Sequence, residues 1–186
     1  MRLVTFGCSN TQGVALNDSS TQAWPAVLAK MYGWTLDNQG VPGASNLEIL
    51  WNILQYKFQP DDIVVVMWTI VNRDYFEGKH QFGVWQDSTL VKNWLEVHSE
   101  KDMTIRAWLC MDHANLHISR KNIMCYNVAV DYKMLANNKP TFITTRLDDA
   151  KVDYYRFLDR ANDESHPGPE AHKNIANKIK EIIDER

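Results

Sequence analysis

No run of apolar residues in this 186-residue chain approaches the ~18 that a membrane-spanning helix needs, so no span is expected. Charge of neither sign dominates. A formal net charge of −3 offers no general attraction to nucleic acid or anionic lipid, and neither is expected as a partner. Cysteine is scarce: Cys8, Cys110 and Cys125 are odd in number and show no paired spacing, which argues for reduced thiols rather than a disulfide framework. Met1-Arg2 leads into strand-like sequence with no apolar signal region or small-residue cleavage site, so a cytoplasmic protein is expected. Repeats, low-complexity tracts and Pro/Gly/Ser linkers are also missing, which predicts one domain over 1–186. Metal ligands are few. Cys110, His113 and His117 in "CMDHANLH" share one helical face, but no fourth ligand stands near them, and no metal is expected.

What is present is a globular composition, 45% hydrophobic and 23% charged. The stretches "RLVTF" (2–6), "WTLD" (34–37), "DDIVVVMWT" (61–69) and "NIMCYNVAV" (122–130) read as strands, with a weaker fifth in "VDYYRFL" (152–158). The third is a continuous β-branched run, as expected of a strand covered on both faces. Helical periods fall over 20–33, 46–58, 90–97, 104–118 and from about Pro169 to the end, with Ser45 or Asn46 as cap of the second. An irregular, aromatic-rich insertion occupies about 73–103. This alternation predicts a three-layer α/β/α sandwich on a mostly parallel five-stranded sheet. Ligands bind such sheets beyond the carboxyl ends of the strands. Ser9 after the first strand, "GVPGASN" (40–46) after the second and "TIVNRD" (69–74) after the third would share that rim.

Cys8 and Ser9 in "VTFGCSNTQG" are adjacent candidate nucleophiles. A serine hydroxyl is weak unless a histidine takes its proton and an acid orients that histidine. Asp163 and His166 in "NDESHPGPEAH" supply such a pair three residues apart. The competing reading has Asp163 or Ser165 capping the last helix and His166 as an ordinary surface residue. Gly40 and Gly43 are explicable as turn glycines. "GCSNTQG" lacks the Gly-Lys-Ser/Thr ending of a P-loop, which argues against phosphate binding there.

Taken together, "FGCSNTQG", "NQGVPGASN" and "DESHPGPEAH" resemble the three corresponding blocks of the SGNH/GDSL hydrolases, small α/β esterases, lipases and acetylesterases of flavodoxin-like fold. The resemblance implies Ser9 as nucleophile, Asp163 and His166 as its partners, and the Ser9 and Gly43 N–H groups in an oxyanion hole. It implies no cofactor, and a short acyl or O-acetyl ester of a carbohydrate or lipid as substrate. Two blocks depart from the family's pattern. Cys8 replaces an acidic residue before the serine, and the glycine-x-asparagine-aspartate block is absent after strand three, where Trp68 and Ile70 fall at its glycine and asparagine. Asn72, two residues on, is the expected third oxyanion donor, with Thr69 and Arg73 as polar alternatives. Thr69, Arg73, Tyr75 and Trp85 are candidate substrate contacts. The alternative function is a non-catalytic ligand- or carbohydrate-binding module, with Tyr75, Phe76, Phe82 and Trp85 as stacking surfaces.

Overall fold

The computed structural model describes residues 1–76, 80–83, 89–156 and 158–186. In chain order it comprises β1 (Arg2–Gly7), α1 (Ser9–Gln12), α2 (Ser19–Gln22), α3 (Trp24–Tyr32), β2 (Thr35–Gly40) and α4 (Asn46–Gln55). There follow β3 (Asp62–Trp68), β4 (Arg73–Phe76), β5 (His80–Gly83), α5 (Thr89–Val97) and α6 (Glu100–Ser119). The chain closes with β6 (Met124–Ala129), α7 (Tyr132–Asn137), α8 (Val152–Tyr155) and α9 (Pro169–Asp184). The main sheet is parallel, in the order β2-β1-β3-β6.

The β-branched run of β3 is apolar throughout because both faces are covered. Successive side chains alternate between faces. Val64, Val66 and Trp68 join Phe6 beneath α4 and α6, and Ile63, Val65 and Met67 join Leu3 beneath α3 and α9. The helices answer with apolar stripes at three- and four-residue spacing. These are Ala107, Trp108, Met111, Ala114 and Ile118 on α6, and Ala171, Ile175, Ile179 and Ile182 on α9. Two buried indoles have their N–H groups paired: Trp68 donates to Asn127 Oδ1 at 3.0 Å and Trp108 to the Leu135 carbonyl at 2.9 Å.

Among the described residues the sheet has four strands, not the expected five. Residues 152–155 form α8 instead, entered through Lys151 in the left-handed conformation (φ 53°). Among the described residues a single parallel bridge, Val128 to Asp148, runs beside the outer edge of β6. The segment there is Asp148-Asp149, a poor strand former, and the Asp148 carboxylate is held by Arg146 and Arg186 at 2.9 Å each. Within 73–103, β4 and β5 form an antiparallel hairpin, followed by α5 and the start of α6. Among the described residues no helix is long and apolar enough to cross a membrane.

Candidate active site

Ser9 opens α1 immediately beyond the carboxyl end of β1 and is buried. The turn that presents it is locked from both sides. The Thr11 and Gln12 N–H groups donate to the Cys8 carbonyl at 2.9 and 3.1 Å. Asn38, on β2, donates from Nδ2 to the Thr11 carbonyl at 2.9 Å, while its Oδ1 accepts from Gly40 N–H at 3.0 Å. β2 can approach this closely only with glycine at 40, where a Cβ would stand 2.5 Å from the Gln12 nitrogen. Val41 N–H then donates to the Gly7 carbonyl at 2.9 Å, which carries the pairing of β1 and β2 into the loop holding Gly43. Gly43 has φ 76°, a conformation that favours glycine. Cys8 is buried beside the turn and does not line the cleft.

The loop after β3 is fixed by a residue whose role the sequence did not reveal. Ser45, not Asn46, caps α4, accepting from Glu48 N–H at 3.2 Å. The Asn46 amide is turned to the backbone of Thr69. It donates to the Thr69 carbonyl at 3.2 Å and accepts from the Thr69 N–H at 2.9 Å.

The candidate base and acid, His166 and Asp163, stand in the loop before α9. Asn162 N–H donates to the Ala15 carbonyl at 3.1 Å and its Nδ2 to Asn17 Oδ1 at 2.9 Å, tying this loop to the segment just past Ser9. The loop closes on itself through Ala161 N–H to the His166 carbonyl at 3.0 Å. Asp163 does not cap α9. That task falls to Asp159, whose two oxygens accept from the Glu170 and Ala171 N–H groups at 2.8 Å each. Asp163 instead accepts from the Ser165 and His166 N–H groups at 3.1 and 3.0 Å, and its Oδ2 stands 2.5 Å from His166 Nδ1. The His166 N–H first, then the imidazole and Ser165, hold the Asp163 carboxyl well below the usual carboxylate range.

These segments enclose a cleft of about 510 Å³, a size suited to a small-molecule ligand. Ser9, Gly43, Thr69, Arg73 and His166 all line it. Neither the Ser9 nor the Gly43 N–H is engaged by another described residue. Asn72, expected as the third oxyanion donor, is not among the residues that line the cleft. With Thr69 pinned by Asn46 and Val71 buried in the core, the chain turns into β4, and Asn72 Oδ1 lies buried without a partner among the described residues. Thr69 reaches the wall, but its hydroxyl is shut from solvent. Trp85 lies outside the described residues, as do the side chains of Tyr75, Phe76 and Phe82. Cys110, His113 and His117 lie along α6, where burial pushes the Cys110 thiol up to about 12. Among the described residues no group of three or more His, Cys, Asp or Glu could hold a metal. A hollow of similar size, about 540 Å³, lies by Tyr132, Asp149 and Asp153, but no serine or cysteine lines it.

No protein-family model and no curated protein matches the sequence. Solved structures do match its fold. A member of the lipolytic protein G-D-S-L family from Veillonella parvula is 15% identical, with 100% of each chain covered and a TM-score of 0.60. The psychrotrophic esterase EstA from Pseudoalteromonas sp., in a structure inhibited by monoethylphosphonate, is 15% identical over 99% of this chain and 97% of that one, at a TM-score of 0.61. A family 3 carbohydrate esterase from Clostridium thermocellum is also 15% identical, over 99% and 96%, at a TM-score of 0.60. At this identity the likeness speaks for the fold.

Proposed function

We propose that this chain, which has the SGNH/GDSL hydrolase fold, is a serine hydrolase that cleaves an ester through an acyl-enzyme. The observation that carries the proposal is that His166, held by Asp163 at 2.5 Å, lines the cleft that Ser9 also lines. Asp163 occupies Nδ1, which leaves Nε2 as the basic nitrogen. Nε2 takes the Ser9 proton as Oγ bonds to the acyl carbon, and the carbonyl electron pair moves to oxygen. The Ser9 and Gly43 N–H groups hold that oxyanion; one such donor is typically worth about a hundred- to thousandfold in rate. His166 then passes the proton to the departing alcohol as the C–O bond breaks. Water, deprotonated by the same nitrogen, releases the acid and regenerates Ser9. Asp163 stays ionised throughout, fixing the tautomer and steadying the imidazolium.

None of these steps draws on a metal or organic cofactor. The proposed substrate is a short acyl or O-acetyl ester of a carbohydrate or lipid; the esterases of like fold support ester cleavage, and one of them is a carbohydrate esterase. Labelling with a fluorophosphonate tests the proposal. The wild-type protein and Cys8→Ala should label, and Ser9→Ala should not. A folded wild-type protein that takes up no label and turns over no ester would instead be a ligand-binding module on this scaffold.

A further inference from the structure

The charge of the cleft bears on what enters it. Its walls carry two arginines, Arg73 at the start of β4 and Arg156 just past α8, and no carboxylate among the described residues. This is not an effect of composition, because acidic residues outnumber basic ones, 23 to 20, in the chain as a whole. Arg73 Nε and Nη1 and Arg156 Nε are shut from solvent, while both residues stay partly exposed. Two guanidinium groups drawn from distant segments meet the same hollow, where both would attract an anion. A guanidinium presents five N–H donors in a rigid fork that matches carboxylate and phosphate. One edge held by a neighbour still leaves donors for a ligand.

We propose that the substrate is an anionic ester, bearing a carboxylate or phosphate in its acyl or alcohol part, and that Arg73 and Arg156 hold this charge. The proposal rests on the hydrolase reading above. His166, the other titratable group of the wall, has Nδ1 committed to Asp163, so it positions no substrate charge of its own.

Matched esters test it on the wild-type protein. On the alcohol side, 4-acetoxybenzoate and 4-acetoxyphenyl phosphate are compared with 4-acetoxybenzamide; on the acyl side, mono-4-nitrophenyl glutarate is compared with 4-nitrophenyl butyrate. Hydrogen bonds to a charged group predict a kcat/KM about ten- to a hundredfold higher for an anionic member. Arg73→Gln and Arg156→Gln should remove this preference mainly by raising KM for the anionic ester. Preference for the neutral ester, or none, on both sides overturns the proposal while Ser9 labelling leaves the hydrolase reading intact. Arginine variants that lower kcat equally for neutral and anionic esters also overturn it, since they would mark a role at the oxyanion. If Ser9 neither labels nor turns over any ester, the hydrolase reading fails separately, and calorimetry decides the arginine site. Tighter binding of 4-acetoxybenzoate than of 4-acetoxybenzamide then supports anion recognition, and equal binding overturns it.

Discussion

Replacing Asn46 with alanine would cut the link between α4 and the loop that follows β3. The amide makes two bonds to one residue, at 3.2 and 2.9 Å, with Asn46 5% and Thr69 1% exposed. The substitution strips the Thr69 carbonyl and N–H of their partners where water has little access. At about 1–3 kcal/mol for each buried group left unsatisfied, the loss is about 2–6 kcal/mol. The lower half of that range is expected, because a loop relaxes more readily than a strand. A chain of this length loses about 2–4 °C of Tm per kcal/mol, so Tm should fall by about 5–15 °C. Asn46→Asp keeps the acceptor for Thr69 N–H but aims a carboxylate at the Thr69 carbonyl, so it should be destabilised as well. Calorimetric melting, with ester hydrolysis on the same samples, measures both effects. KM should rise too, because Thr69, Ile70 and Arg73 follow the clamp onto the cleft wall. An Asn46→Ala protein that melts with its parent and keeps its kinetics would refute this account.

The buried His172 ring accepts the Trp24 N–H at Nδ1, 3.1 Å away, and burial lowers its pKa from 6.5 to about 4. Because the folded value lies below the unfolded one, stability is full above about pH 6.5 and declines as pH falls toward 4, by no more than about 3 kcal/mol; urea midpoints across that window check it, and a midpoint flat over the window counts against it. Asp159→Ala should cost about 0.5–2 kcal/mol by uncapping α9, read as a lower denaturant midpoint, while Asp159→Asn recovers part of the loss. Ser9→Ala combined with His166→Ala should be scarcely slower than either alone, since groups acting as a unit are not additive; rate losses that multiply would separate the two residues.

The layers were legible because burial on two faces leaves a mark in one dimension. The unbroken apolar run of β3 and the stripe of α9 follow directly from it. Residues 152–158 misled because a short aromatic and β-branched segment suits a strand or a helical turn, and the left-handed Lys151 that decides it is set by tertiary context. The site was legible as short motifs around Ser9, Gly43 and Asp163–His166. What positions them was not. The ties from Asn162 to Ala15 and Asn17, and from Asn46 to Thr69, join residues far apart in sequence, and an asparagine near a helix start looks like a cap until its partner is seen. Asn72 was chosen as the asparagine beside the end of strand three, on a reshaped loop; the bend itself, set by the Asn46–Thr69 bonds, had no mark in the sequence.

The cleft joins the two ends of the polypeptide. Ser9 leaves the first strand, and His166 precedes the last helix, which packs on α3 through the Trp24–His172 bond. A ribosome adds about 5–20 residues each second and releases the amino end first. The serine therefore emerges many seconds before the histidine that is to face it. In the proposed mechanism, a nascent chain through that interval has a hydroxyl without its base and is expected to stay inert toward esters. The proposed reaction would need α9 docked on α3, so ester hydrolysis in a translation mixture is expected to follow the docking of α9 rather than the emergence of residue 166.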